Sequence, residues 1–276
     1  MRSQPHVLIV AGSDSSGGVG IARDVATVSH FGVRASLAIT AVTAQMHDAV
    51  IAVEVMPASV VAAQIRAALA ANPIAAIKIG MLSTAEVVQA VADVLAGHKA
   101  IPVILDPVLA SSSGARLLSD VGVECLRRTL LSRATLLTPN LPELGVLAGG
   151  ATARSVADIG AQAIRLLDHG SSKVLVKGGH ARSPQSIDTL YSKGASPRQF
   201  ASTRHGVALR GTGCMLSSAV AAHLALGHGM VAAISHAKAF MGEAFDAKRL
   251  AQEVQSDVER WRAVGAPADR NEIHSG

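Results

Sequence analysis

Gly211-Thr212-Gly213-Cys214 stands immediately before a long apolar run. A turn of this composition opening a helix suits an anion. The first backbone N–H groups have no intrahelical partner, the helix macrodipole is positive there, and glycines let a phosphate approach bare backbone. The same residues would also make a plain helix cap with Thr212 as the capping side chain. At a helix N-terminus the Cys214 thiol is expected to have a lowered pKa. That makes it a candidate acid/base or a donor to a developing oxyanion, the alternative being an inert buried cysteine. Asn140-Leu141-Pro142-Glu143 sets an amide and a carboxylate three residues apart across a strand-to-helix junction. Pro and Glu suit a first helical turn, and the carboxylate also suits Mg2+ held through water beside nucleotide phosphates. Lys177 ends an apolar strand, either as an edge lysine reaching solvent or as a charge aimed at a transferring phosphate.

Other chemistries are excluded by spacing. No Gly-x-x-x-x-Gly-Lys-Ser/Thr occurs, and Lys177 precedes its glycines, so a P-loop enzyme is not expected. Gly17-Gly18-Val19-Gly20-Ile21-Ala22 follows a strand but fails the dinucleotide-loop spacing. There is no Gly-x-Ser-x-Gly elbow, and the eleven histidines show no paired metal-ligand spacing, which sets aside hydrolase and zinc chemistry.

These residues need a scaffold. Short β-branched runs alternate with longer helical segments: strands at His6–Ala11, Val33–Thr43, Val50–Val55, Ala76–Met81, Val103–Leu105, Thr135–Leu137 and Lys173–Lys177. Helices are expected at Ile21–His30, from Pro57 through Leu69, at Thr84–Leu95, Val121–Leu131 and Val156–Leu167. Asp188–Tyr191 and Gln199–Thr203 read as an antiparallel edge pair. Thr212–Leu226, apolar all round, and Met230 to about Arg249 then close the fold as helices. The alternation implies βαβ units, a mostly parallel sheet and helices on both faces, with ligands bound beyond the carboxyl ends of the strands. Ser13-Asp14, Gln45, Asp106-Pro107, Asn140 and Lys177-Gly178-Gly179 all follow predicted strands, so one crevice can gather them.

With 276 residues, 49% of them hydrophobic, the chain can bury a full core, and no linker or repeat divides it. A single domain is expected, with a flexible tail from about residue 262. The net charge of +5 is scattered and aromatics make up only 2%, which argues against nucleic-acid binding. Two cysteines argue against a disulfide framework, and neither a signal segment nor a membrane span is apparent, so a cytoplasmic protein is expected.

The ordered set Ala11 to Ile21, Thr40 to Gln45, Lys78 to Leu82, Leu105 to Val108, Thr138 to Asn140, Val176 to His180 and Gly211 to Cys214 resembles the hydroxymethylpyrimidine/phosphomethylpyrimidine kinases of thiamine biosynthesis, in the ribokinase-like superfamily. The resemblance runs from about His6 to Leu226. It implies a ribokinase-like three-layer α/β sandwich and phosphorylation, with ATP and Mg2+, of 4-amino-5-hydroxymethyl-2-methylpyrimidine and then of its monophosphate. By the same match Gln45 would read a ring nitrogen and the exocyclic amine, Gly12, Val19, Met81 and Val108 would line a flat slot, and Asp24 would lie near the polar substituent. Gly211, Gly213 and Cys214 would hold the transferring phosphoryl group, with Lys177 neutralising its charge, Asp106 and Glu143 near Mg·ATP, and Asn140 and Thr212 among the residues that bind ATP. Relatives of this kind commonly form homodimers. Many ribokinase-like enzymes have aspartate where Cys214 stands, so the thiol favours pyrimidine kinases and the related pyridoxal kinases. Arg210 replaces a usual histidine, and Met46-His47 replaces a common Asn-Thr. A pyridoxal kinase of the same branch and a non-catalytic pyrimidine-binding sensor are the competing readings; Gln45 and Met81 favour the pyrimidine.

Overall fold

The structure is a computed structural model that describes residues 4–111, 114–178, 185–204 and 206–264. Gly179, His180 and the tail beyond Val264 lie outside the described residues. In chain order the first half comprises β1 (His6–Asp14), α1 (Gly20–His30), β2 (Arg34–Gln45), β3 (Val50–Val55), α2 (Ala58–Ala71), β4 (Ile74–Ile79), α3 (Ala85–Leu95) and β5 (Val103–Leu105). It continues with α4 (Asp120–Thr129), β6 (Leu136–Leu137), α5 (Leu141–Leu147), α6 (Val156–Asp168), β7 (Lys173–Val176), β8 (Gln185–Ser192), β9 (Arg198–Thr203), α7 (Thr212–Ala225) and α8 (Met230–Val264).

Among the described residues, nine strands join one sheet in the order β3-β2-β1-β4-β5-β6-β7-β8-β9. The run from β2 to β7 is parallel, while β3 at one edge and β8 and β9 at the other are antiparallel. Alternate residues of β1 show why the central strands read as continuous apolar runs. Leu8 and Val10 face one core with α2, α3, α4 and α6, while Val7 and Ile9 face the other with α1, α7 and α8. Three layers result, and the central strands β1 and β4 to β7 are largely buried on both faces, while β3 and most of β9 stay exposed. Helix α7 is sandwiched within its layer, buried without a break from Met215 to His223, which is why its sequence shows no polar stripe.

The boundaries differ from the sequence-based expectation in two informative places. β1 continues through Gly12 and Ser13 to Asp14 after a register shift, so turn-forming residues sit inside a strand and carry it to the crevice. Helix α8 runs to Val264 rather than ending near Arg249, its exposed continuation held by i,i+4 pairs such as Arg249–Glu253 at 2.7 Å and Gln255–Glu259 at 2.8 Å. Among the described residues no helix is long and apolar enough to cross a membrane.

Candidate active site

At the carboxyl ends of the parallel strands lies a pocket of about 880 Å3. Its wall brings together Gly12, Val19, Gln45, Met81, Asp106, Val108, Asn140, Glu143, Lys177 and the whole Gly211-Thr212-Gly213-Cys214 turn. Each comes from the end of a strand or the start of the helix after it.

The turn is built by backbone. Gly211 adopts φ +73°, a left-handed conformation that disfavours a side chain, and a Cβ there would stand 2.5 Å from the Gly18 carbonyl oxygen. Gly213 faces the sheet, where a Cβ would lie 3.2 Å from Lys177 Nζ and 3.4 Å from Asp106 Oδ2. The Cys214 thiol contradicts the sequence-based expectation of a lowered pKa. Burial pushes it up to about 11, and neither the nearby Lys78 ammonium nor the Gly20 N–H is enough to offset that, the buried carboxylates of Asp24 and Asp106 adding to the rise.

Lys177 Nζ donates to Asp106 Oδ1 at 2.8 Å and lies 3.7 Å from Glu143 Oε2. Burial opposes the charge on Lys177, but the two carboxylates outweigh it and raise its pKa. Burial also pushes Asp106 up, yet Lys177 and Lys78 prevail and hold it below the usual carboxylate range; in Glu143 burial prevails and the carboxyl is raised. Thr138 Oγ1 donates to Asp106 Oδ1 at 3.2 Å. Glu143 is part of a capping box: the Asn140 N–H donates to Glu143 Oε2 and the Glu143 N–H to Asn140 Oδ1, both at 2.8 Å. The residues that suggested a helix start therefore are one, and they also set a carboxylate beside Lys177.

Asp24 is not at the pocket. Its side chain is fully buried under it, where Lys78 Nζ donates at 2.6 Å and Ser218 Oγ at 2.8 Å, so its expected position near the substrate's polar substituent is corrected to a supporting one. Lys78 is likewise fully buried, its charge favoured by Asp24 despite desolvation. Neither the pair nor Ser217 and Ser218 was singled out from sequence. Ser217 Oγ donates to the Gly213 carbonyl at 2.9 Å and reaches Asp106 Oδ2 at 3.4 Å. The available signal was two adjacent serines in an otherwise apolar helix. Asp14 has a structural role that its place after a strand does not announce: its carboxylate accepts from the N–H groups of Ser16, Gly18 and Val19 at 2.9, 3.1 and 3.0 Å, winding the glycine loop that presents Val19. Arg210 Nη1 donates to Ser16 Oγ at 3.1 Å and lies 2.8 Å from His47 Nδ1, bridging that loop to the end of β2.

A second cavity of about 290 Å3 lies between the β8–β9 hairpin and α8 and shares Lys177, Thr212 and Gly213 with the large one. Its wall includes the Lys238–Asp188 ion pair, 2.9 Å, together with Met241 and Gly242. Two openings thus meet at the Thr212-Gly213 turn.

Comparison with known proteins gives concordant matches. Residues 14–257 match the family model described as phosphomethylpyrimidine kinase. A hydroxymethylpyrimidine/phosphomethylpyrimidine kinase of Rhizobium meliloti is 40% identical over 242 residues, covering 87% of this chain and 90% of the relative. The crystal structure of phosphomethylpyrimidine kinase from Clostridium difficile superposes with a TM-score of 0.76 at 34% identity, covering 88% of this chain and 99% of that one. An ADP complex of Bacillus subtilis pyridoxal kinase gives a TM-score of 0.80 at 30% identity, covering 86% and 90%.

Proposed function

Because the chain belongs to the phosphomethylpyrimidine kinase family, we propose that its pocket carries ATP-dependent phosphoryl transfer to 4-amino-5-hydroxymethyl-2-methylpyrimidine and then to the resulting monophosphate, in thiamine biosynthesis. The observation that carries this reading is the junction of two cavities at the Thr212-Gly213 turn, with Lys177 beside it. The pyrimidine occupies the large cavity and the nucleotide enters from the small one.

Gln45 presents a carboxamide, donor and acceptor side by side, to a ring nitrogen and its exocyclic amine. Gly12, Val19, Met81 and Val108 form the flat slot; a Cβ at Gly12 would lie 3.0 Å from Met81 Sδ and push that side chain into it. The N–H groups of Gly211, Gly213 and Cys214 converge on the transferring phosphoryl group while Lys177 neutralises its charge. Transfer through a loose transition state asks for positioning and charge stabilisation more than for a strong base. A thiol kept protonated at neutral pH fits that demand as a hydrogen-bond donor.

The donor set suits Mg2+: Asp106 and Glu143 supply hard oxygens on the same wall, and Asn140 orients Glu143. These residues would hold the ion through water, and it would supply neutralisation of the nucleotide's phosphates. Both cysteines are free, in keeping with the cytoplasm we propose for the enzyme. The chain acts as a single kinase domain. A homodimer is supported by apolar side chains left in water near β3, where Ile51 is 67% and Met46 51% exposed. Ile51→Glu is expected to yield monomers by light scattering if that edge is the interface.

The test of function is a parallel assay of ATP consumption with Mg2+ and the hydroxymethylpyrimidine, its monophosphate or pyridoxal. Turnover with both pyrimidines at a higher kcat/KM than pyridoxal is expected. Preference for pyridoxal would transfer the chain to that neighbouring activity, and no ATP consumption with any of them would leave a pyrimidine-binding sensor.

A further inference from the structure

At the far end of α7 from the glycine turn, the α7–α8 corner gathers three imidazoles from His223, His228 and His236. Their ring centroids are 5.3 Å apart for His223 and His228, 4.7 Å for His223 and His236, and 5.0 Å for His228 and His236. One nitrogen from each ring lies within 4.8 Å of the others. The corner is fixed by backbone. Gly227 adopts φ +88°, and the N–H groups of Gly227 and His228 donate to the carbonyls of Leu224 and His223, each at 3.0 Å, the paired bonds of a helix C-terminal motif. The Ala233 N–H then donates to the Gly229 carbonyl at 2.9 Å and starts α8 with His236 on its second turn.

His223 is only 8% exposed, and neither of its ring nitrogens has a hydrogen-bond partner. A buried imidazole with both nitrogens unmet is destabilising and calls for a partner. The Phe31 ring packs 4.5 Å from it and closes one side, while His228 and His236 are exposed and leave the other open to water.

We propose that His223, His228 and His236 form a site for a divalent transition-metal ion of the zinc, nickel or copper class, with a further coordination position open to solvent. Three imidazoles without a carboxylate suit borderline ions, whereas Mg2+ requires oxygen ligands. Tetrahedral zinc needs ligating nitrogens roughly 3.4 Å apart, given its bond length to imidazole. The two exposed side chains reach that by turning onto the buried one. The ion supplies the partner His223 lacks and ties α7 to α8. This site is independent of the kinase reading, being remote from the Thr212-Gly213 turn.

The experiment titrates untagged, chelator-stripped full-length protein with ZnCl2 by calorimetry, with MgCl2 as control, and compares it with H228A, H236A and the double variant. Both side chains are exposed, so the metal-free variants should keep the wild-type circular dichroism; H228N and H236Q give the same comparison if either alanine variant does not. One saturable zinc equivalent per chain is expected, with no such binding of Mg2+. Each single variant should weaken it by about tenfold or more, and zinc should raise the melting temperature of the wild type but not of the double variant. No saturable binding, or the same affinity and stoichiometry in the double variant, would overturn the proposal.

Discussion

Cys214 shows how a residue's type can be legible while its protonation is not. The helix N-terminus argues for a thiolate, but burial among Asp24, Asp106 and Lys78 gives a thiol at neutral pH. Its folded pKa is raised, so a role that needs the S–H is intact through neutral pH and is lost only as pH rises through about 11. Cys214→Ala should lower kcat by about a hundredfold or more without moving the unfolding midpoint, from the lower end of the range for one positioned proton-transfer group upward. Alkylation of Cys214 near neutrality should be about a hundredfold slower than for an ordinary cysteine, since thiolate falls tenfold per pH unit below the pKa; rapid alkylation would show the thiolate instead. Arg210 carries a second residue-scale expectation. It spans Ser16 and His47 at the pocket wall with a permanent charge, well suited to the phosphate of the monophosphate substrate. Arg210→Ala should raise KM for the monophosphate about tenfold more than for the alcohol, in line with one charge-assisted hydrogen bond; equal effects on the two substrates would remove that role.

At the scale of elements, the strand-helix alternation and the strand-end clusters were readable because parallel strands must be apolar on both faces and their carboxyl ends must turn. What could not be read is which buried groups meet. Lys78 and Asp24 are separated by 54 residues, and nothing in either segment announces the pair. The same holds for His223, His228 and His236, whose spacing matches no ligand motif because a left-handed turn at Gly227 folds it back. The reach of α8 past Arg249 was missed although Leu250, Val254, Val258 and Trp261 recur there at helical spacing; Leu250 and Val254 stay exposed instead of joining the core. Where backbone conformation decides, residue type is enough: Gly211, left-handed and close to Gly18, is the position the turn depends on. Gly211→Ala should lower stability by about 1–2 kcal/mol from the left-handed strain alone and, by displacing the turn from Gly18, reduce kcat/KM by at least about a hundredfold, as a misplacement near 1 Å does. Denaturant unfolding and steady-state kinetics measure the two effects separately, and full activity in the variant would show that the turn does not cradle the phosphoryl group.

At the scale of the whole molecule, two cavities meet at one helix terminus. Because α8 borders only the smaller one, changes there should act on the nucleotide alone. Gly242 lines that cavity, and a Cβ at this position meets nothing within 4 Å. Gly242→Leu should therefore stabilise α8 by about 0.5–1 kcal/mol through helix propensity while raising KM for ATP several-fold and leaving KM for the pyrimidine unchanged. A rise in the pyrimidine KM instead would mean that the two openings had been assigned the wrong way round. The buried Lys78–Asp24 pair joins the sheet to the α1 layer, with Ser218 of α7 as a third member. A Cβ at Gly80 would stand 2.9 Å from Lys78 Nζ, so the glycine, the lysine and the aspartate occupy one another's space and charge. Exchanging one of them alone displaces the lysine ammonium or leaves a buried charge without its partner. Across divergent relatives, positions 24, 78 and 80 should change together, an alanine at 80 arriving only with a shorter neutral residue at 78 and a neutral partner at 24.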